Sequence, residues 1–446
     1  MNNALMNKFS ALAIAALAPA TVGAQTLFTA PELLTDGAAK YEMSKNPNHT
    51  AAFDSTGALH LVYWSGAFAT SAAEPSHVYH REWTEASGWS AQTAIDDSTA
   101  DQGSGPVHIG GRHPSLAIAP NDDVWVVWHD YRHTSTAGNS IDNIEIYADR
   151  KPAGGNFSTA DIRITETNNA LLTGDNGYTP RVAIDSQGRV SIVWYDFARG
   201  SGSNADIYAK HSDASGVFNA AEALDTLRLT DAAAQGALFA YSTPDIVRAA
   251  DGTLYGVWTS GFGGAAPTYF AALPNPSAPV TVQTIRTATG GHDFASKITA
   301  APNGDVWVVA TDRVGAASDV RAIRRPAGTS TFEAAIDIAA NPAYAEESGD
   351  LEVDADGNLH AVWVDYRDGA ASAQVYYARF AAGTWTREEE LALSDHAGAY
   401  FRPELVLNAA GEPTVIYEEQ VDSVTGALWF VRAYEPAAAR HWQRYE

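Results

Sequence analysis

Four of the chain's 13 histidines gather in one stretch: His108, His113, His129 and His133, with Asp130 and Arg132 among them. Further along stand Tyr178, Tyr195, Arg199 and Tyr241. An imidazole can take or give a proton near neutral pH. A tyrosine can act as the acid, or as the base if its pKa is lowered. An arginine fork grips a carboxylate with two hydrogen bonds. Together these groups suit β-elimination at a uronic acid. The weakly acidic C5 proton leaves once the carboxylate is neutralised, and an acid protonates the departing O4. That chemistry requires no cofactor. A zinc site is the competing reading, with His108, His113, His129, His133 and Asp130 as ligands. However, His129 and His133 sit on a strand-to-loop segment, not on a helix that would aim both at one ion. A structural calcium or zinc ion is left open. The acidic turns "DADGN" and "GDNGY" lack the full ligand series of a calcium loop.

Such scattered groups need a fold that gathers them, and an internal repeat supplies it. Seven segments share a short apolar strand, a tight turn and a second strand ending in an aromatic: "AAFDSTGALHLVYW", "LAIAPNDDVWVVWHD", "VAIDSQGRVSIVWYD", "IVRAADGTLYGVWTS", "ITAAPNGDVWVVATD", "LEVDADGNLHAVWVD" and "LVLNAAGEPTVIYEE". The turn residue is Gly57, Asp122, Gly188, Gly252, Gly304, Gly357 or Gly411. The aromatic position holds Tyr63, Trp128, Trp194, Trp258, Ala310, Trp363 and Tyr417. Asp-Gly and Asn-Gly turns between alternating apolar runs signal hairpins. Third strands follow as "HVYHR", "IEIYADR", "DIYAKH", "VRAIRR", "QVYYARF" and "LWFVRAY". Fourth strands read "DIRITE", "TLRLTD", "AIDIAA" and "ELALSD". "ELLTD", residues 32–36, matches the fourth strand but precedes the first hairpin. The pattern predicts an all-β, seven-bladed β-propeller with four-stranded antiparallel blades, closed by that N-terminal strand.

In a propeller, the loop into the innermost strand and the loop out of the second strand open on the same face. Residues before each first strand and after each aromatic therefore converge. The Asp that follows most of the aromatics reads as a structural acceptor for loop N–H groups. Arg132 and Arg367 read as its partners. The departures stand out in blades two and three, where His129 and Tyr195 occupy equivalent places behind His108, His113 and Tyr178.

Residues 1–24 read as a secretory signal: Lys8, the apolar "ALAIAALAPA" and the small-residue "VGA" before Gln25. The mature chain, 25–446, is expected as one secreted or periplasmic monomeric domain. With no cysteine it draws on packing and not on disulfides. A net charge of -25 argues against nucleic-acid and anionic-membrane partners. An anionic polysaccharide would need a local basic pocket that outweighs this field.

The repeat resembles the broad sialidase-like group of secreted propellers. The order of the unusual residues more narrowly resembles the seven-bladed ulvan lyases, which cut a sulfated algal polysaccharide by β-elimination. The resemblance rests on His108 and His129 followed by Tyr178, Arg199 and Tyr241. It implies His108 or His129 as base, Tyr178 as acid, Arg199 as carboxylate neutraliser and Tyr241 lining the sugar site. His113 is the alternative to His108, and Arg132 or Arg181 to Arg199. Tyr195 and Arg132 join His113 and Tyr241 as substrate-binding candidates.

Two rival functions remain. A sialidase-like hydrolase would recruit arginines such as Arg132, Arg313, Arg367 and Arg402, with Tyr400 nearby. The turns lack that family's Ser-Asp-Gly-Trp spacing. A non-catalytic glycan- or protein-binding propeller would use the same scaffold without a reaction.

Overall fold

The computed structural model describes residues 27–35, 41–43, 49–65, 76–97, 110–130, 144–165, 177–196, 206–218, 228–230, 244–259, 267–273, 280–287, 296–314, 317–341, 343–369, 373–386, 388–393, 400–420 and 426–434. Among them are strands and turns but no helix, so none is long and apolar enough to cross a membrane. The strands form seven antiparallel sheets set as blades in a ring, a seven-bladed β-propeller. Blade two shows the plan. Gly111–Ile118 lies innermost, followed outward by Val124–Asp130, Glu145–Lys151 and Ile162–Arg163.

Local chemistry fixes each inner hairpin. All seven turn residues have positive φ, from 63° at Asp122 to 89° at Gly304. Only glycine, or rarely Asn or Asp, accepts that conformation cheaply. The acid that opens the turn locks it. Asp54 accepts the N–H groups of Thr56 and Ala58, both at 2.9 Å, and Asp185 and Asp354 do the same in blades three and six.

Seven hydrophobic clusters fill the seams, each drawn from two adjacent blades. The repeat aromatic packs back onto the preceding blade. Trp128 meets Trp64 and Val78, and Trp363 meets Val309 and Val320. Blade five has Ala310 at that position, and its seam with blade four is filled by Tyr255, Phe270 and Phe332.

The ring closes as the repeat predicts. Glu32–Leu33 pairs with Gly426–Tyr434, the third strand of blade seven. Thr35 Oγ1 accepts the Leu428 N–H, as Thr165 accepts that of Ile146 and Thr230 that of Ile207. The match of "ELLTD" to the other fourth strands thus extends to individual hydrogen bonds. Pro267–Leu273 and Gln283–Thr287, the outer strands of blade four, and Thr93–Ala94 in blade one carry no recognisable copy of the repeat.

A charged ring lines the channel. At one level of the seven inner strands stand Thr50, Ser115, Arg181, Asp245, Lys297, Asp350 and Glu404, all buried. Arg181 faces Asp245 at 3.7 Å, and Lys297 faces Asp350 at 3.4 Å. The carboxylates also stitch neighbouring blades. Asp245 accepts the Ile298 N–H, Asp350 that of Leu405, and Glu404 those of Thr50 and Ala51. Buried charge is tolerable only when paired and hydrogen-bonded in this way.

Candidate active site

The candidate site begins with a backbone device. In blades two and three the inner strand bulges near its start, where the register slips opposite Val127 to His129 and opposite Tyr195 to Val193. The bulged residues His113 and Thr179 have φ of 51° and 43° and are each followed by proline. Positive φ is uncommon for a residue with a Cβ, and more so for a β-branched one. Proline has no N–H to lose where the ladder is interrupted. A bulge of this kind bends the strand and re-aims a side chain.

The bulges bring five rings into a row across three blades. Trp64 of blade one meets His113 edge-on at 5.8 Å, and His113 meets His129 at 4.9 Å. His129 meets Tyr178 of blade three at 5.6 Å and 88°, and Tyr178 stacks on Tyr195 at 5.5 Å. His113 and Tyr178 are partly exposed, whereas His129 is 1% exposed. Tyr195 is 6% exposed and belongs to the core between blades three and four, where it supports Tyr178 from below.

One hydrogen bond sets the tautomer of His129. The Thr179 N–H donates to His129 Nδ1 at 3.2 Å. A backbone N–H can only donate, so Nδ1 holds a lone pair and the proton of the neutral ring sits on Nε2. His129 is thereby arranged to donate a hydrogen bond.

The other expected residues fall in several places. His108, Arg132, His133, Arg199 and Tyr241 lie outside the described residues, as do the side chains of Arg313 and Tyr400. Arg181, an alternative neutraliser, is 1% exposed in the channel and engages Asp245 and the Pro180 carbonyl. The repeated Asp is structural: Asp130 and Asp365 accept the indole N–H of Trp128 and Trp363 at 3.1 and 3.3 Å. Arg367 grips Asp365 with two hydrogen bonds, and Arg402 pairs with Glu418, so each of these arginines is neutralised within its own blade. Among the described residues no group of three or more His, Asp or Glu side chains is placed to hold a metal ion.

Sequence reasoning missed two neighbours of the row. Arg112 lies 5.0 Å over the Trp64 ring, and its Nε donates to Ser76 Oγ at 3.2 Å. His77 Nδ1 is 3.1 Å from Asp96 Oδ1. That hydrogen bond raises the His77 pKa, against a smaller opposing effect of burial. The signal for His77 was available: it starts the third strand where blades two and three have Glu145 and Asp206.

No protein-family model matches the chain, and no curated protein matches it. Its fold is shared with several solved structures. A polysaccharide lyase, an ulvan lyase bound to -[GlcA(1-4)Rha3S]-, aligns with a TM-score of 0.58 at 10% identity, over 90% of this chain and 96% of that one. A second structure of such an ulvan lyase aligns with a TM-score of 0.57 at 10% identity, over the same shares of both chains. A puromycin hydrolase aligns with a TM-score of 0.50 at 14% identity, over 90% of this chain and 57% of that one. At such identities the likeness establishes architecture, and lyases and hydrolases share it.

Proposed function

We propose that this chain is an exported polysaccharide lyase that cleaves an ulvan-like, uronic-acid-containing polysaccharide by β-elimination. The carrying observation is the row His113–His129–Tyr178 at the rim of blades two and three. It joins two imidazoles and a phenol, with His113 and Tyr178 partly exposed and His129 buried between them, on a fold shared with an ulvan lyase. In this reading residues 1–24 are removed on export. Residues 25–446 act as one monomeric domain, and no cofactor takes part in the reaction.

The reaction needs three roles. A base removes the C5 proton, the electron pair forms the C4–C5 double bond, and the C4–O4 bond breaks as an acid protonates O4. His129, with its proton on Nε2, supports the developing negative charge at the uronic carboxylate by donating to it. That leaves proton abstraction to His108, or to His113 in its place. Tyr178 delivers the proton to O4. Arg199 or Arg132 supplies the fixed positive charge beside the carboxylate. Tyr195 and Tyr241 shape the sugar site.

The test is incubation of the mature protein with ulvan and other uronic-acid polysaccharides, following ultraviolet absorbance of the unsaturated product. A rising signal is expected. New reducing ends without absorbance would make the protein a hydrolase. Binding without either product would make it a glycan-binding module.

A further inference from the structure

The seam between blades one and two holds a second polar centre on the same face. Blades two and three share a latch at this height. The third strand starts on a buried acid, Glu145 or Asp206. The fourth strand's Thr165 or Thr230 hydroxyl donates to that acid and accepts the next N–H of the third strand. An arginine two residues earlier, Arg163 or Arg228, neutralises the acid at 2.9 Å. The three groups are tied to one another.

Blade one inverts the latch. His77 starts the third strand, Asp96 takes the place of the threonine, and Ala94 takes that of the arginine. Asp96 accepts the Val78 N–H at 3.2 Å and the Gly111 N–H of blade two at 3.3 Å. Its side chain is fully buried and fixed across the seam. It holds His77 by Nδ1, and Nε2 has no hydrogen-bond partner among the described residues. The His77 side chain is 26% exposed. A carboxylate that takes Nδ1–H aims Nε2 outward, as an acceptor while the ring is neutral and as a donor once it is protonated, the form that Asp96 and Asp130 favour.

The pair lies beside the ring row. Ser76, next to His77, bridges to Gly110 at the start of blade two and holds Arg112, which covers Trp64. Trp64 in turn meets His113. Among the described residues, Asp96 on the fourth strand and Asp130 in blade two act on His77, Tyr79 of its own strand lies edge-on to it, and Arg112 is held by the adjacent Ser76. Both acids favour the protonated ring.

We infer that His77, oriented by Asp96, binds an oxyanion of the polysaccharide, a sulfate or a carboxylate, on a sugar unit beyond the one that is cleaved. This rests on the polysaccharide reading above but not on the elimination chemistry. The protonated ring donates Nε2–H to the anion, and the buried Asp96 favours that form and aims it. The subsite would discriminate decorated from undecorated chains.

The experiment compares wild type, His77→Gln and His77→Arg on ulvan and on chemically desulfated ulvan, measuring KM, kcat and direct binding by affinity electrophoresis. Loss of one charge-assisted hydrogen bond should raise KM of His77→Gln about tenfold, with kcat nearly unchanged. His77→Arg keeps a cation against the buried acid, as Arg163 and Arg228 do from the fourth strand of the neighbouring blades, so it controls for folding. It should bind like wild type while losing the rise in KM as pH increases past the imidazole's titration. A defect confined to ulvan assigns the anion as sulfate, and an equal defect on both substrates assigns it as carboxylate. Unchanged KM and binding in His77→Gln on both substrates would overturn the subsite. If wild type binds but does not cleave, the elimination reading fails while the binding comparison still decides this one. Absence of both cleavage and binding overturns both.

Discussion

Blades two and six build the same corner and use it differently. Both inner strands bulge at a residue of positive φ, His113 at 51° and Ser348 at 52°. Near the end of both second strands stands a tryptophan whose indole donates to the strand's last residue, an aspartate two residues on. In blade six the corner is saturated. Arg367 binds Asp365 at 3.0 and 2.6 Å, reaches Glu388 at 2.7 Å and lies 3.9 Å over Tyr376. In blade two the bulge carries an imidazole instead of a hydroxyl, and the residue before the aspartate is His129 instead of Val364. The bulge and the Trp–Asp bracket are therefore scaffold. Chemistry enters at two positions of that frame.

The largest test of this contrast is catalytic. His129→Ala, which removes a donor to the developing charge, and Tyr178→Phe, which removes the proton donor to O4, should each lower the rate of unsaturated-product formation by at least about 100-fold. Thermal melting should still report a folded ring. Normal turnover in both variants would move the site away from blades two and three.

Next in size is the closed corner. Arg367→Ala strips a buried carboxylate of its main partner and should cost about 1–3 kcal/mol in denaturant unfolding. Turnover should stay unchanged. An activity loss larger than the stability loss would show that blade six takes part in the reaction and would break the comparison.

Glycine at the bulges gives a finer test. His113→Gly and Ser348→Gly both relieve a left-handed residue that carries a Cβ, so stability should hold or rise by up to about 1 kcal/mol. Only the blade two variant should lose activity. Equal kinetics in the two variants would leave His113 as scaffold.

The smallest effect is in the pH profile. Burial, with nearby acids adding to it, pushes the Glu346 and Glu352 carboxyls up to about 8. Each therefore binds its proton more tightly in the folded protein than in the unfolded chain. Stability should fall as pH rises from the ordinary carboxylate range to about 8, then level off. Glu352→Gln should remove its share of that slope in melts taken between those limits, and an unaltered slope would contradict the assignment. The turn acids act in the opposite sense. Asp354, lowered to about 2 by hydrogen bonds from Asn358 and His360 that outweigh its burial, contributes stability that is lost only as pH falls towards that value.

Much of the scaffold was legible because its signals are local. A positive-φ turn demands its glycine wherever it sits, and "ELLTD" carries the same threonine as "DIRITE" and "TLRLTD". The outer strands of blade four were not legible, since "PTYFAAL" lacks the alternation and basic residues of its counterparts. The channel ring was hidden for another reason. Arg181 and Asp245, or Lys297 and Asp350, meet only because adjacent blades bring equivalent positions together. Of the site residues expected from the sequence, His113, His129, Tyr178 and Tyr195 lie in one row, while His108, Arg132, Arg199 and Tyr241 lie outside the described residues. The buried, supporting place of Tyr195 was not legible, nor was the His77–Asp96 pair. Its two partners are 19 positions apart and become neighbours only through blade one's own folding.

Ring closure also carries a consequence for timing. Glu404 holds Thr50 across 354 positions, and Leu428 holds Thr35 across 393. No early segment can complete its own edge. Glu32–Leu33 must wait, unpaired, until blade seven has emerged. Blade one likewise lacks its second neighbour until then, with half of the Leu59, Leu61 and Tyr63 seam still open. Such distant pairings slow folding and lengthen the exposure of strand edges. A chain interrupted anywhere before blade seven would hold its nearly finished blades in an open arc, ready to pair with the edge of another such arc.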